Sequence, residues 1–220
     1  MKVTYFLEVT SSWCFWAEAA WADLKRRYAG RVDFDWRIAR MRPEDWPVSR
    51  EQCAWFYRRS GILMRSPFPL TTAGYEPPRP GEYPAASFVA EAARDFGFHG
   101  DEIRLVLAHA IERQGLKVGR MEVAVQVAVE ASGGRLEAGS LRAAAESAGV
   151  AARIEASTRE FFAHQVTQRP TFVLEDESGD KAVFSGLVRV EPITATIDAM
   201  LADCAGYASY RAHFGDPPRA

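Results

Sequence analysis

The sequence predicts an α/β fold in which a large helical block interrupts a β-α-β … β-β-α frame. Three observations carry this prediction. The first forty residues read as strand, helix, strand; residues 85–163 carry one helical stripe after another; the last fifty return to a hairpin and a helix. The chain has 220 residues, enough for one well-packed domain with an inserted subdomain.

Each element has a local reason. Val3 to Val9 is β-branched or aromatic at nearly every position, as in a strand buried on both faces. Ser11 and Ser12 then offer N-cap hydroxyls to a helix starting near Trp13. Trp13, Trp16, Ala20, Trp21, Leu24 and Tyr28 recur at three- and four-residue steps, and Gly30 supplies the stop. Val32 to Ile38 is the next strand, and a crossover of this kind is right-handed with parallel strands.

From Pro43 to Pro84 the text turns rich in Pro, Trp, Tyr and Arg. Ser49 and Gln52 have capping-box spacing and predict a short helix. The prolines between Ser66 and Pro84 exclude a regular helix or a central strand, so a surface-crossing loop is expected. Ala85–Phe96, Asp101–Gln114, Arg120–Ala131, Ser140–Ala148 and Ala151–Ala163 are predicted helices, most of them divided by glycines such as Gly97, Gly115 and Gly149. No repeat period joins them. Thr171–Leu174 and Lys181–Ser185 flank a turn with Gly179, the pattern of an antiparallel hairpin. Pro192 opens a last helix with apolar positions to Cys204, and Ala205 to Ala220 is expected to fray. The boundaries follow: 1–42 and 165–220 form the α/β domain, and 43–164 the helical insertion.

Composition removes several function classes. Lys and Arg number 27 against 29 Asp and Glu, a net charge of −2, which argues against a nucleic-acid or acidic-membrane binder. The three cysteines, Cys14, Cys53 and Cys204, are too few and too scattered for a disulfide scaffold or a Cys-rich zinc site. The four histidines lack metal-ligand spacing. The amino-terminal segment lacks the apolar run of a signal peptide, and no stretch reaches the roughly 20 apolar residues of a membrane span. A cytoplasmic protein with no required cofactor is the expectation.

Two places combine chemistry with position. Ser11-Ser12-Trp13-Cys14 falls between the first strand and the first helical turn, where helix N–H groups and the dipole stabilise a thiolate or anion. Arg169-Pro170 immediately precedes a strand, the setting of a candidate cis peptide. The element order together with these two motifs matches a thioredoxin-like fold with a helical insertion.

The segments YFLEVTSSWCFW, RPTFVLED and FSGLV resemble the DsbA-like family of thioredoxin-fold proteins, and the resemblance spans the whole chain. Its cytoplasmic members carry Cys-Pro-Trp-Cys where this sequence has Ser11-Ser12-Trp13-Cys14; Trp13 and Cys14 match, Ser11 and Ser12 do not. A related branch holds the kappa-class glutathione transferases and 2-hydroxychromene-2-carboxylate isomerases. Its pattern is Ser-Pro-Tyr-Ser, and its first serine hydroxyl bonds the glutathione sulfur. Ser11 matches that branch.

The resemblance implies thiol-linked redox or glutathione chemistry with Ser11 and Cys14 as catalytic residues. Ser12, Trp13, Arg169, Pro170 and Arg189 are the implied substrate-binding residues, and glutathione is a co-substrate. With Ser11 in first place no intramolecular disulfide can form at this motif. A monothiol oxidoreductase using Cys14, a transferase or isomerase using Ser11, and a non-catalytic binding module therefore all stand open. In the transferase branch an Asp-Arg pair holds the γ-glutamyl group; Val188 and Arg189 occupy those positions, so half of the pair is missing. Simpler roles compete with each residue. Ser11 serves as an ordinary N-cap, and Cys14 as a small buried hydrophobe. Glu8 stands near enough for proton transfer, or is merely a capped strand-end carboxylate, and His164 lies six residues before the proline loop. The expected partner is a small-molecule thiol or a peptide. Trp46, Trp55 and Phe56 are candidates for a homodimer surface or a packed insertion.

Overall fold

The computed structural model describes residues 1–76 and 84–216. β1 (Lys2–Leu7) pairs in parallel with β2 (Asp33–Ile38), Lys2 opposite Asp33 and Leu7 opposite Ile38, and α1 (Ser12–Arg27) makes the crossover. β3 (Thr171–Glu175) runs antiparallel to β1, and β4 (Lys181–Ser185) antiparallel to β3. The sheet order is β2-β1-β3-β4, with β1 and β3 inside.

Alternation across these two inner strands builds three layers. Val3, Tyr5, Leu7, Phe172 and Leu174 share one core with Trp21 and Leu24 of α1 and with Ile193 and Ile197 of α8 (Glu191–Phe214). Phe6 and Val173 point the other way and pack with Ala39 and with Phe161 of α7 (Ala148–Ala163). The near-continuous apolar text of β1 thus reflects burial on both faces. The last insertion helix, α7, is also the second covering layer of the sheet.

Between β2 and α7 lie α2 (Arg50–Leu63), α3 (Ala85–Ala93), α4 (Glu102–Glu112), α5 (Met121–Ala131) and α6 (Ala138–Ala145). Their apolar stripes join the same core as α1, so the helical block shares its interior with the sheet. Buried Arg104 of α4 locks the join, reaching Glu18 of α1 at 2.6 Å and Asp101 at 2.7 Å.

Several boundaries differ from the sequence pattern. α3 stops at Ala93 and tightens into a 3-10 turn over Arg94–Phe96 before Gly97, which takes positive φ. Gly149 does not divide two helices; Ser147 caps α7 by accepting from Val150 N at 3.2 Å, which places Gly149 in its first turn. The chain after Cys204 does not fray: α8 continues to Phe214, with residues 205–216 all exposed. The loop expected over 66–84 is irregular where described, and residues 77–83 and 217–220 lie outside the described residues. No described helix is long and apolar enough to cross a membrane.

Candidate active site

Ser11 sits where β1 hands over to α1. Its N–H donates to Glu8 O at 3.0 Å, and its Oγ accepts from Cys14 N at 3.4 Å, the bond of a helix N-cap. The hydroxyl hydrogen remains available to an acceptor outside the helix. Thr10, Ser11, Ser12 and Trp13 line a cleft of about 320 Å³. Facing them are Thr167, Gln168 and Arg169 before Pro170, with Asp45, Trp46, Phe56, Tyr57 and Arg59 of the insertion. The sequence-predicted helix terminus and proline loop therefore do meet.

Cys14 is turned the other way. It is 2% exposed in the main core, and its Sγ accepts from Glu8 N at 3.5 Å. Burial pushes its thiol up to about 12, against the weaker opposing effect of the bonds from Glu8 and Ser11. Of the two readings of Cys14, that geometry favours the small buried residue, and Cys14 is not among the residues lining the cleft. One helical turn inside the cap, the side chain falls on the buried stripe of α1 with Ala17 and Trp21, and a thiol there stays protonated at neutral pH.

Glu8 is fully buried beneath the site. Ser87 Oγ of α3 donates to its Oε1, and Met41 N donates to Oε2 at 3.4 Å. Burial raises its pKa, opposed by the Ser87 bond and the charge of Arg169. It is neither solvated nor a simple cap.

The peptide before Pro170 is cis. Gly186 N donates to Pro170 O at 2.7 Å, so the loop after β4 braces the proline. The side chain of Arg169, implied as substrate-binding, is turned into the protein. Its guanidinium is 3% exposed, donating to the carbonyls of Ala39, Arg40 and Thr167, lying 3.5 Å from Asp45 and covering the Phe161 ring at 4.6 Å. Those bonds occupy the planar fork with main-chain acceptors, so the side chain holds the loop instead of a ligand. Its main chain forms no hydrogen bond with another described main-chain group, and the residue is among those lining the cleft. Arg189 is exposed and does not line the cleft, and Val188 is half-buried against the core. His164 caps the end of α7 edge-on to Phe6, at 5.7 Å, and lies outside the cleft lining.

The outer wall was not legible as part of the site. α2 starts at the Ser49 cap as expected, but its inner face carries Cys53 and Tyr57 into the cleft. Behind them Tyr57 OH donates to Glu112 Oε1 at 3.2 Å. Glu112 is fully buried, its Oε2 has no hydrogen-bond partner among the described residues, and burial lifts its carboxyl to about 8. Burial likewise lifts Cys53 to about 11. Of the aromatics expected at an interface, Trp46 and Phe56 line the cleft and only Trp55 is exposed, at 57%. The unusual density of aromatics over 46–57 was the one available signal.

Compared by sequence, the chain matches no family model and no curated protein. Compared by structure, it is similar to the cytosolic disulfide reductase DsbM from Pseudomonas aeruginosa, with a TM-score of 0.71 and 17% identity over 92% of this chain and 99% of that one. It is also similar to Pseudomonas aeruginosa DsbA, with a TM-score of 0.60 and 14% identity over 94% and 85%. A third similar structure is 2-hydroxychromene-2-carboxylate isomerase, with a TM-score of 0.56 and 15% identity over 95% and 98%. The set joins the oxidoreductases to the isomerase on one architecture, with the helical block included in each alignment. The chain has the DsbA-like thioredoxin fold.

Proposed function

We propose that the cleft binds a small thiol of the glutathione type and that Ser11 holds its sulfur as the thiolate. The observation that carries this reading is the division of labour at the motif. Ser11 faces the cleft at the α1 N-terminus, while Cys14 is buried with its thiol lifted to about 12. A sulfur seated against Ser11 accepts the hydroxyl hydrogen and lies at the positive end of the helix dipole, and both favour S⁻ over SH. The main chain of Arg169, without a main-chain partner among the described residues, offers a peptide-like ligand one edge. The reaction class is then addition of the bound thiolate to an electrophile, for transfer or isomerisation. A cytoplasmic setting, where such thiols stay reduced, fits this chemistry. DsbM, similar in fold, has also been solved with GSH, at 16% identity and a TM-score of 0.70.

Calorimetry with glutathione tests the reading on wild type, Ser11→Ala and Cys14→Ala. Loss of the sulfur contact in Ser11→Ala is expected to weaken binding about tenfold, near 1.4 kcal/mol, and Cys14→Ala is expected to leave it unchanged. Absence of binding to the wild-type protein would leave the fold as a binding module for another ligand and end the glutathione reading.

A further inference from the structure

A second cavity, of about 490 Å³, lies on the far side of Met41, the residue it shares with the thiol cleft. Its walls are Met41, Phe88 of α3, Met121 of α5, Ala145 of α6, and Ala151 and Ile154 of α7. The size falls in the range of small-molecule sites, and an apolar wall with a few rim polar groups is their usual composition. Two methionines among the wall residues give a surface that adapts to a ligand's shape.

The rim decides the chemistry of the ligand. Glu146 is held by Arg142 at 3.0 Å and Glu155 by Arg159 at 2.6 Å, both on their own helices. Arg42 lies 3.3 Å from Glu44 and 3.6 Å from Asp45, and Arg40 is engaged as well. Among the described residues, Glu146, Glu155 and Arg42 thus each have an ion-pair partner of their own, and the rim presents paired charge of both signs instead of a single-sign field. Thr158 Oγ1 accepts from Arg40 N at 3.0 Å and donates to Ile154 O at 2.7 Å, which uses its hydrogen. Ser147 Oγ accepts from Val150 N at 3.2 Å, which leaves its hydrogen for an acceptor.

From this geometry we infer that the cavity is a binding site for an uncharged, largely apolar molecule bearing one hydrogen-bond acceptor. The apolar body lies against Phe88, Met121 and Ile154, and the acceptor meets Ser147. The inference does not depend on the thiol reading of the neighbouring cleft.

Fluorescence titration with Prodan, a neutral naphthyl ketone, tests it, with anilinonaphthalene sulfonate as the anionic probe of similar body. The expected result is saturable one-site binding of Prodan with blue-shifted emission, at least about tenfold tighter than the sulfonate. Ala151→Trp fills the cavity from an exposed helix position and should abolish the Prodan signal, while Ser11→Ala should retain it. Met121→Trp fills it from another helix and carries the test if Ala151→Trp does not fold by circular dichroism. No saturable Prodan binding, or binding unchanged in a folded tryptophan variant, overturns the site. Equal affinity for the sulfonate overturns the assignment of an uncharged ligand.

Discussion

A thiol reacts in proportion to its ionised fraction, so the placement of Cys14 has a kinetic consequence. With its pKa at about 12, its thiolate fraction near neutral pH falls about three orders of magnitude below that of an unperturbed thiol. Iodoacetamide labelling at pH 7, read by mass spectrometry, should therefore modify Cys14 far more slowly than free glutathione. Labelling at a comparable rate would show an exposed, activated thiol. At Arg169 the consequence concerns stability. Lysine cannot reproduce a planar fork that reaches three carbonyls and covers Phe161. Arg169→Lys should cost about 1–3 kcal/mol in urea unfolding, the cost of leaving buried polar groups unpaired. The sequence made both residues visible as candidates, because helix start and proline loop are written locally. It did not reveal which way each side chain turns: Cys14 is buried by the way α1 packs on the sheet, and Arg169 takes its partners from the 39–45 loop, far off in sequence.

At the scale of elements, the cleft wall depends on how α2 is tied to α4. Tyr57 donates to Glu112 across that interface, and Oε2, with no hydrogen-bond partner among the described residues, leaves the acid poorly solvated. Cys53 faces the same Tyr57, and Arg113 is the nearby charge. The folded pKa of Glu112, about 8, lies above the unfolded carboxylate value. Its contribution to stability is thus fully present below about pH 4.3 and is lost as pH rises toward 8. Glu112→Gln keeps an acceptor for Tyr57 without a titrating proton. It should flatten the decline of unfolding free energy between these limits, leaving the part due to Glu8 and Glu18, whose pKa values burial also raises. An unchanged pH profile would mean that Glu112 is solvated in the native protein. Tyr57→Phe removes the donor and should cost about 1–3 kcal/mol. None of this was legible from the chain. Glu112 ends an amphipathic helix where an acid normally meets water, and it is residues distant in sequence, Tyr57 of α2 and Thr71 of the following loop, that meet it there.

For the whole molecule, the order of elements was legible because hydrophobic period and glycine punctuation are local properties. The β-α-β start, the hairpin and the helical block all stand where those patterns put them. What lay beyond the pattern was shared burial: α7 belongs by sequence to the insertion, yet its Phe161 covers the lower face of the sheet. The same holds for the cleft, which takes its two inner walls from the thioredoxin frame and its outer wall from 45–59. Ser11 is thus presented by the frame to a chamber that the insertion closes. The direct measurement is the ionisation of glutathione in that chamber, followed by thiolate ultraviolet absorbance across pH on wild type and Ser11→Ala. The bound thiol should ionise at lower pH than free glutathione in the wild type and return toward the free value in Ser11→Ala. An unshifted bound thiol, or a mixed disulfide with Cys14 as the bound form, would contradict the role assigned to Ser11.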